Sequence, residues 1–447
     1  MLPNSIKVEN RRDFPHMTAA FVEDPTASLS LNEATVRRNI ASTLAGNLVF
    51  SGSQWLITVL IARMGNMAMV GQYALGLAIC VPIFSFTGLA LRAVQATDCT
   101  GVYRFKDYLT VRLVSTAFAI AAVLAVTLLM PWRRETVLVV LAVACSKAVD
   151  SYSDIQYGLF QLHDRLDLIA WAMSIRAASG LAALALGMVV FHSVAVAMTA
   201  LTVIWLAAAL VYERPVASRM ESARSTEPHR HLSALSICRR LVVLSLPLAF
   251  VLLVFSASTS LPRLMLERQG GEQALGVFSA VAVMSAAIGL LYSALGQTAL
   301  PRLARMFATD RKQFHAAMNR MMLFSAAVGA AMLIASWFWG VRMVTMVYGH
   351  QSAVTAELVT GLVGIGILGN TSSLLGAGLT ASGRYWSQLV VAVMILLITA
   401  AVGAWLIPGW GARGAMYAGL AGVCFQMIAY GYLGSEKSYG NLGSKRS

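Results

Sequence analysis

The chain has 447 residues, 58% of them hydrophobic and only 12% charged, with a mean hydropathy of +0.69. Soluble domains carry about 25% charged residues, so the composition excludes an ordinary water-soluble enzyme and predicts an integral membrane protein. The formal charge of +14 does not indicate a nucleic-acid binder, because the basic residues are spread over connecting segments instead of gathering on one soluble face.

Residues 1–38 form a polar tail of mixed charge, without the basic-then-apolar pattern of a cleavable signal peptide. Ser30 and Glu33 match a capping box, which predicts a short interfacial helix leading to Arg37 and Arg38. Apolar runs long enough to cross about 30 Å of hydrocarbon then follow at 40–62, 70–91, 110–130, 136–160, 168–190, 193–212, 241–261, 275–298, 321–340, 356–380, 387–407 and 412–433. The expected fold class is therefore all-α, a polytopic integral membrane protein with about 12 transmembrane helices.

With the tail in the cytoplasm, 25 of the 34 Lys and Arg residues fall on the cytoplasmic side. Seven fall outside (Arg63, Arg133, Arg134, Arg263, Arg268, Arg342, Arg413), and Lys147 and Arg176 lie within spans. The positive-inside rule then puts both termini in the cytoplasm. The five cysteines show no paired spacing, so neither a disulfide framework nor a zinc site is expected.

The longest internal polar segment, 213–240, follows the sixth apolar run and reads as a basic cytoplasmic linker between halves at 39–212 and 241–433, with 434–447 as a second cytoplasmic tail. The halves echo one another: Arg37-Arg38 against Arg239-Arg240, "GQYA" at Gly71 against "GVFS" at Gly276, and Arg92 against Arg302, at offsets of 202, 205 and 210. Repeats of six spans share orientation and are related by an axis along the membrane normal.

The fourth run carries "CSKAVDSYSDIQYG", residues 145–158, in which Lys147, Asp150, Asp154 and Tyr157 fall on one helical stripe. Charged side chains in a span face the bundle interior or a watery cavity, often in pairs. Depth along the helices, at about 1.5 Å per residue, sets Asp150 level with Arg176 and Asp154 near Arg112, and predicts these as pairs. Two readings stand together: an ion-pair network that holds spans three to five, and a water-filled cavity whose cations attract an anionic substrate while the carboxylates bind a coupling ion. On the first span Thr43, Asn47, Ser51, Gln54 and Thr58 form a second polar stripe, open to readings as helix packing or cavity lining. "GNTSS", Gly369–Ser373, is polar but uncharged, so an anionic group is expected to be handled mainly by the first half.

Several matches fail. "GIGILG", Gly364–Gly369, fits a dinucleotide-binding pattern but lies inside an apolar run without a preceding strand. There is no Walker A segment, Asn370-Thr371-Ser372 falls within a span, and His229 and His231 read as solvated linker residues. No cofactor is expected. A membrane-embedded polysaccharide polymerase needs a sizeable external loop, and none exceeds about 15 residues with these span lengths.

The stretches "RRNIASTLAGNLVFSGSQWLITVLIARMGNMAMVGQYALGLAICVPIFSF", "LALRAVQATD" and "SDIQYGLFQLHDRLDLIA" resemble the polysaccharide-transporter, O-antigen-flippase-like branch of the multidrug/oligosaccharidyl-lipid/polysaccharide (MOP) flippase superfamily. The likeness covers residues 37–433 and is clearest to about residue 177. It implies two six-helix lobes around a central cavity and, as cargo, an undecaprenyl-diphosphate-linked oligosaccharide. That cargo would be flipped across the bacterial inner membrane for O-antigen or exopolysaccharide assembly. It also implies a cationic cavity, for which Arg112, Lys147 and Arg176 are the substrate-binding candidates. Asn47, Ser51, Gln54 and Tyr157 are the polar lining, and Asp150 and Asp154 are the candidates for coupling to Na+ or H+. The expected partners are membrane lipids and polysaccharide polymerase or assembly proteins. A cation-coupled multidrug exporter of the same superfamily is the alternative, with carboxylates dominating the cavity. A major-facilitator transporter would need a basic, glycine-bearing loop that "RAVQATDCTGVYRFKDY" lacks.

Overall fold

The computed structural model describes residues 33–98, 103–224, 234–309, 311–349, 354–381 and 385–434. Most of the N-terminal tail with Ser30, the middle of the linker with His229 and His231, and residues 435–447 lie outside the described residues.

The described chain is helical. Its helices are α1 (Glu33–Met64), α2 (Met67–Thr87), α3 (Leu91–Thr97), α4 (Phe105–Leu129), α5 (Arg134–Leu162) and α6 (Leu166–Phe191). They are followed by α7 (Val194–Ala208), a π-helical turn (Ala209–Glu213), α8 (Arg214–Arg224), α9 (Ala234–Thr309), α10 (Arg311–Tyr348), α11 (Ala356–Ala381) and α12 (Tyr385–Leu433). Ten helical segments among the described residues are long and apolar enough to cross a membrane. Their outward faces carry large apolar side chains such as Phe118, Leu128, Val211, Trp337 and Trp405, a surface suited to lipid and costly in water.

Local chemistry sets the helix ends. Asn66 caps α2 by accepting a hydrogen bond on Oδ1 from the Met69 amide at 2.9 Å, satisfying a donor that the first turn leaves unpaired. Asp107 folds back to accept from the Arg104 amide at 2.9 Å and opens α4.

Two helices fold back on themselves. Gly271 (φ 69°, ψ −176°) interrupts α9 and Gly411 (φ 52°, ψ −124°) interrupts α12, both in a backbone region that glycine enters without a Cβ clash. Thr259 and Ala282 line one cavity although 23 residues separate them, whereas a straight helix would hold them about 35 Å apart. Leu406 and Gly414 pack together across Gly411 in the same way.

In the first half α1 packs on α6, α6 on α7, and α5 on α2, α4 and α7; in the second, α9 packs on α10, α11 and α12. The halves meet chiefly through α9 and α2. Their closest approach is reciprocal: a Cβ on Gly71 would overlap the carbonyl oxygen of Glu272, and one on Gly276 would overlap that of Met67. Around it Gln72 Nε2 donates to Glu272 Oε2 at 3.0 Å, Thr136 donates to the other oxygen of Glu272, and Trp132 Nε1 donates to Glu267 Oε1 at 3.1 Å. On the same side Arg63 donates to the carbonyls of Met346 and Val347 at the end of α10, and Trp55 Nε1 to the Tyr348 hydroxyl at 3.1 Å. Farther along, Phe86 meets Phe250 edge-on at 5.6 Å, and Leu241 and Ala249 of α9 join a buried cluster with Leu91, Tyr108 and Ile155.

Two boundaries differ from those expected. Helical structure continues through the first part of the expected linker, because α8 runs to Arg224 and Glu213, at 1% exposure, is buried. Arg263, expected in an external loop, lies inside α9, eight residues before the turn at Gly271. Pro262-Arg263 reads as the end of an apolar run, yet the residue that breaks the helix is the glycine.

Candidate functional site: an ion-paired column in the first half

The stripe of α5 turns toward α4, α6 and the π-helical turn. Lys147 Nζ donates to Asp150 Oδ2 at 3.0 Å, and the Arg176 guanidinium of α6 pairs with Asp150 Oδ1. Arg176 Nη1 also donates to the Tyr157 hydroxyl at 3.4 Å, and that hydroxyl donates to Glu213 Oε1 at 2.9 Å. The series Lys147, Asp150, Arg176, Tyr157, Glu213 therefore alternates charges and donors across three elements. Each carboxylate faces at least one donor, as burial demands.

Arg176 is 2% exposed. Its guanidinium stacks 4.4 Å from the Trp205 ring and 5.8 Å from that of Phe50, and its carbonyl accepts from Trp205 Nε1 at 2.9 Å. The planar, weakly hydrated guanidinium suits such aromatic faces better than an ammonium would.

A second group stands beside the first. Asp154 accepts from Arg112 Nη2 at 2.8 Å and from Arg92 Nη1 at 3.4 Å, and Arg92 lies 5.6 Å over the Tyr157 ring, joining the two groups. Accessibility is one-sided. The Arg112 side chain is 4% exposed, whereas those of Arg92 and Asp154 are 32% and 35% exposed. Lys147 and Asp150, at 22% and 21%, also keep an accessible edge.

The structure thus brings together Arg112, Lys147, Asp150, Asp154, Tyr157 and Arg176, in the two carboxylate–arginine pairs expected from depth. Asn47, Ser51 and Gln54 are partly buried on α1 and take no part in these pairs; the Thr43 side chain lies outside the described residues. Among the described residues α1 meets the column through Phe50. In α11 the hydroxyls of Thr371, Ser372 and Ser373 bond back to the carbonyls of Ile367, Leu368 and Gly369 at 2.8, 2.8 and 3.0 Å. Sequence reasoning missed Glu213 and Arg92, whose only signal was a position at the edge of an apolar run. Among the described residues no cluster of His, Cys, Asp and Glu could hold a metal ion.

The fold is that of a multi-pass helical membrane protein, with the column inside its first half. Solved structures share its architecture. One is an outward-facing multidrug resistance MATE family transporter of the MOP superfamily (TM-score 0.61, 13% identity, covering 92% of this chain and 97% of that one). Another is a MOP superfamily transporter from Pyrococcus furiosus (TM-score 0.57, 12% identity, 92% and 96% covered). A family model described as polysaccharide biosynthesis protein matches residues 36–307, more than half of the chain, and the chain belongs to that family. It is also 23% identical over 400 residues to the capsular polysaccharide biosynthesis protein CapF of Staphylococcus aureus, covering 88% of this chain and 98% of that protein.

Proposed function

We propose that the chain is a flippase that carries an undecaprenyl-diphosphate-linked oligosaccharide across the bacterial inner membrane for O-antigen or exopolysaccharide assembly. In this reading twelve crossings, counting each arm of α9 and α12, form two six-helix lobes around a central cavity, with both termini in the cytoplasm. The lobes expose the cavity to one side and then the other. The observation that carries it is a column of ionised side chains inside one half of a membrane protein of the polysaccharide biosynthesis family.

A sugar diphosphate entering hydrocarbon loses water that nothing there replaces. The accessible edge of the column, Arg92, Lys147, Asp150 and Asp154, supplies substitutes. Arg112 and Arg176 hold the carboxylates from behind. An arriving diphosphate competes with Asp150 and Asp154 for Lys147 and Arg92, and the released carboxylates take up Na+ or H+, which couples cargo to an ion gradient. Asn47, Ser51 and Gln54 provide hydrogen bonds for sugar hydroxyls, while Tyr157, expected among them, is buried and held by Glu213 and Arg176; the polyprenyl tail stays in lipid. Membrane lipids surround the protein, and polymerase or assembly proteins receive the product.

A strain lacking the gene should accumulate lipid-linked oligosaccharide on the cytoplasmic side. The wild-type chain should clear it, Lys147→Ala and Arg176→Ala should not, and Lys147→Arg should restore part. Normal polysaccharide assembly in the deletion strain overturns the reading. The carboxylates Asp150, Asp154 and Glu213 favour one second reading, a cation-coupled drug exporter, for which the same strain would gain drug sensitivity with no lipid-linked intermediate.

A further inference from the structure

From Arg263 and its surroundings the structure assigns a second anion site, in the other half of the molecule, for a diphosphate borne on an isoprenoid chain. This rests on the proposed cargo and deepens it, by giving the diphosphate a further contact on α9, in addition to the cations of the first half.

Between the two arms of α9 and helices α11 and α12 lies a cavity of about 200 Å³, far more than the roughly 15 Å³ that one water needs. Its walls are mostly apolar, with Phe255, Phe278, Leu362 and Ile395 among them, and Arg263 lines it. No carboxylate lines it among the described residues. Among those residues Arg263 also forms no hydrogen bond or ion pair, whereas Arg92, Arg112, Lys147 and Arg176 are each matched to Asp150 or Asp154. Thr399 and Gln426 also line the cavity, while two nearer hydroxyls are engaged by the backbone. Ser258 donates to the Val254 carbonyl at 2.8 Å and Thr259 to the Ser256 carbonyl at 2.9 Å.

A cation in apolar surroundings without a counter-charge is costly, and an anion entering the cavity removes that cost. The planar fork of five donors on Arg263 matches phosphate oxygens in pairs. The aromatic and aliphatic walls match the first carbons of a hydrocarbon chain. A free inorganic anion would leave those walls unused, and a sugar alone would leave the charge unmet.

The test titrates the purified full-length protein in detergent with farnesyl diphosphate, and with farnesol as the uncharged counterpart. The expected result is saturable diphosphate binding that weakens at least tenfold in Arg263→Gln and by less in Arg263→Lys, while farnesol binding stays as it is. Removing a partly buried charge that has no counter-charge should leave the thermal midpoint of the unliganded protein unchanged or raised, so a loss of binding is not a loss of fold. Competition with pyrophosphate and with short-chain phosphatidylglycerol separates the sources. Weak displacement by both supports an isoprenoid diphosphate, while full displacement by either one overturns it. Equal binding by Arg263→Gln, or none by the wild type, overturns it too. These readouts need no transport. Binding that holds while the deletion strain assembles polysaccharide normally therefore sinks the flippase reading and spares the site.

Discussion

The Tyr157 hydroxyl donates to Glu213 at 2.9 Å, tying the C-terminal part of the charged α5 to a residue that the sequence assigns to a polar linker. The bond forms because the helix begun at Val194 does not stop at the end of its apolar run. It passes through a π-helical turn, Ala209–Glu213, and continues as α8. The wider turn shifts the residues after it around the helix axis, and such turns are frequent at functional sites.

Replacing Glu213 separates this bond from its charge. Glu213→Gln keeps an acceptor for Tyr157 and should leave stability within about 1 kcal/mol of wild type. Glu213→Leu strands a buried hydroxyl and should cost about 2 kcal/mol. Unfolding in detergent followed by circular dichroism compares the two, and equal losses would show that the Tyr157 proton has an acceptor other than Glu213.

Asp150 is the only carboxylate paired with Arg176 among the described residues. Asp150→Ala leaves that guanidinium buried and uncompensated, at a cost of about 3 kcal/mol. Combining it with Arg176→Leu should recover part of the loss. A double-mutant cycle on unfolding midpoints checks this, and strictly additive effects would mean that the pair carries no coupling.

Asp154 serves two cations of unequal burial. Arg92→Gln removes a pair that solvent already weakens and should cost less than about 1 kcal/mol. Asp154→Asn leaves Arg112 without its carboxylate and should cost about 2 kcal/mol or more. The reverse order of unfolding midpoints would contradict the assignment of Arg112 as the buried partner.

The side of the molecule that holds Gly271 must open if cargo is to leave there. Gln72 and Glu272 touch across that seam, so Gln72→Cys with Glu272→Cys should oxidise to a cross-link and stop transport, and a reducing agent should restore it. Transport by the cross-linked protein would show that the seam stays shut throughout the cycle.

Much of this was legible beforehand because its cause is local. Hydropathy marks the spans, and three- and four-residue spacing gathers Lys147, Asp150, Asp154 and Tyr157 on one face. The depth of a residue along a straight rod even chose Arg176 and Arg112 as partners. What stayed hidden depends on how helices end. Arg263 after Pro262 looks like the edge of a span until Gly271 is seen to carry the break, and Glu213 looks like linker because hydropathy falls just where a buried polar group begins. The polar stripe of α1 shows the converse, since periodicity gives a face without naming its neighbour, and the side chain that α1 sends to the column is the apolar Phe50.

Met67 with Gly276 and Glu272 with Gly71 touch in mirrored fashion, and one offset of 205 carries the first residue of each pair onto the first of the other. A contact that reads the same from either partner is what a two-fold symmetric homodimer makes. The seam therefore has, locally, the symmetry of an isologous contact made within one chain. Every change at one of these glycines has to be answered by the other half of the chain.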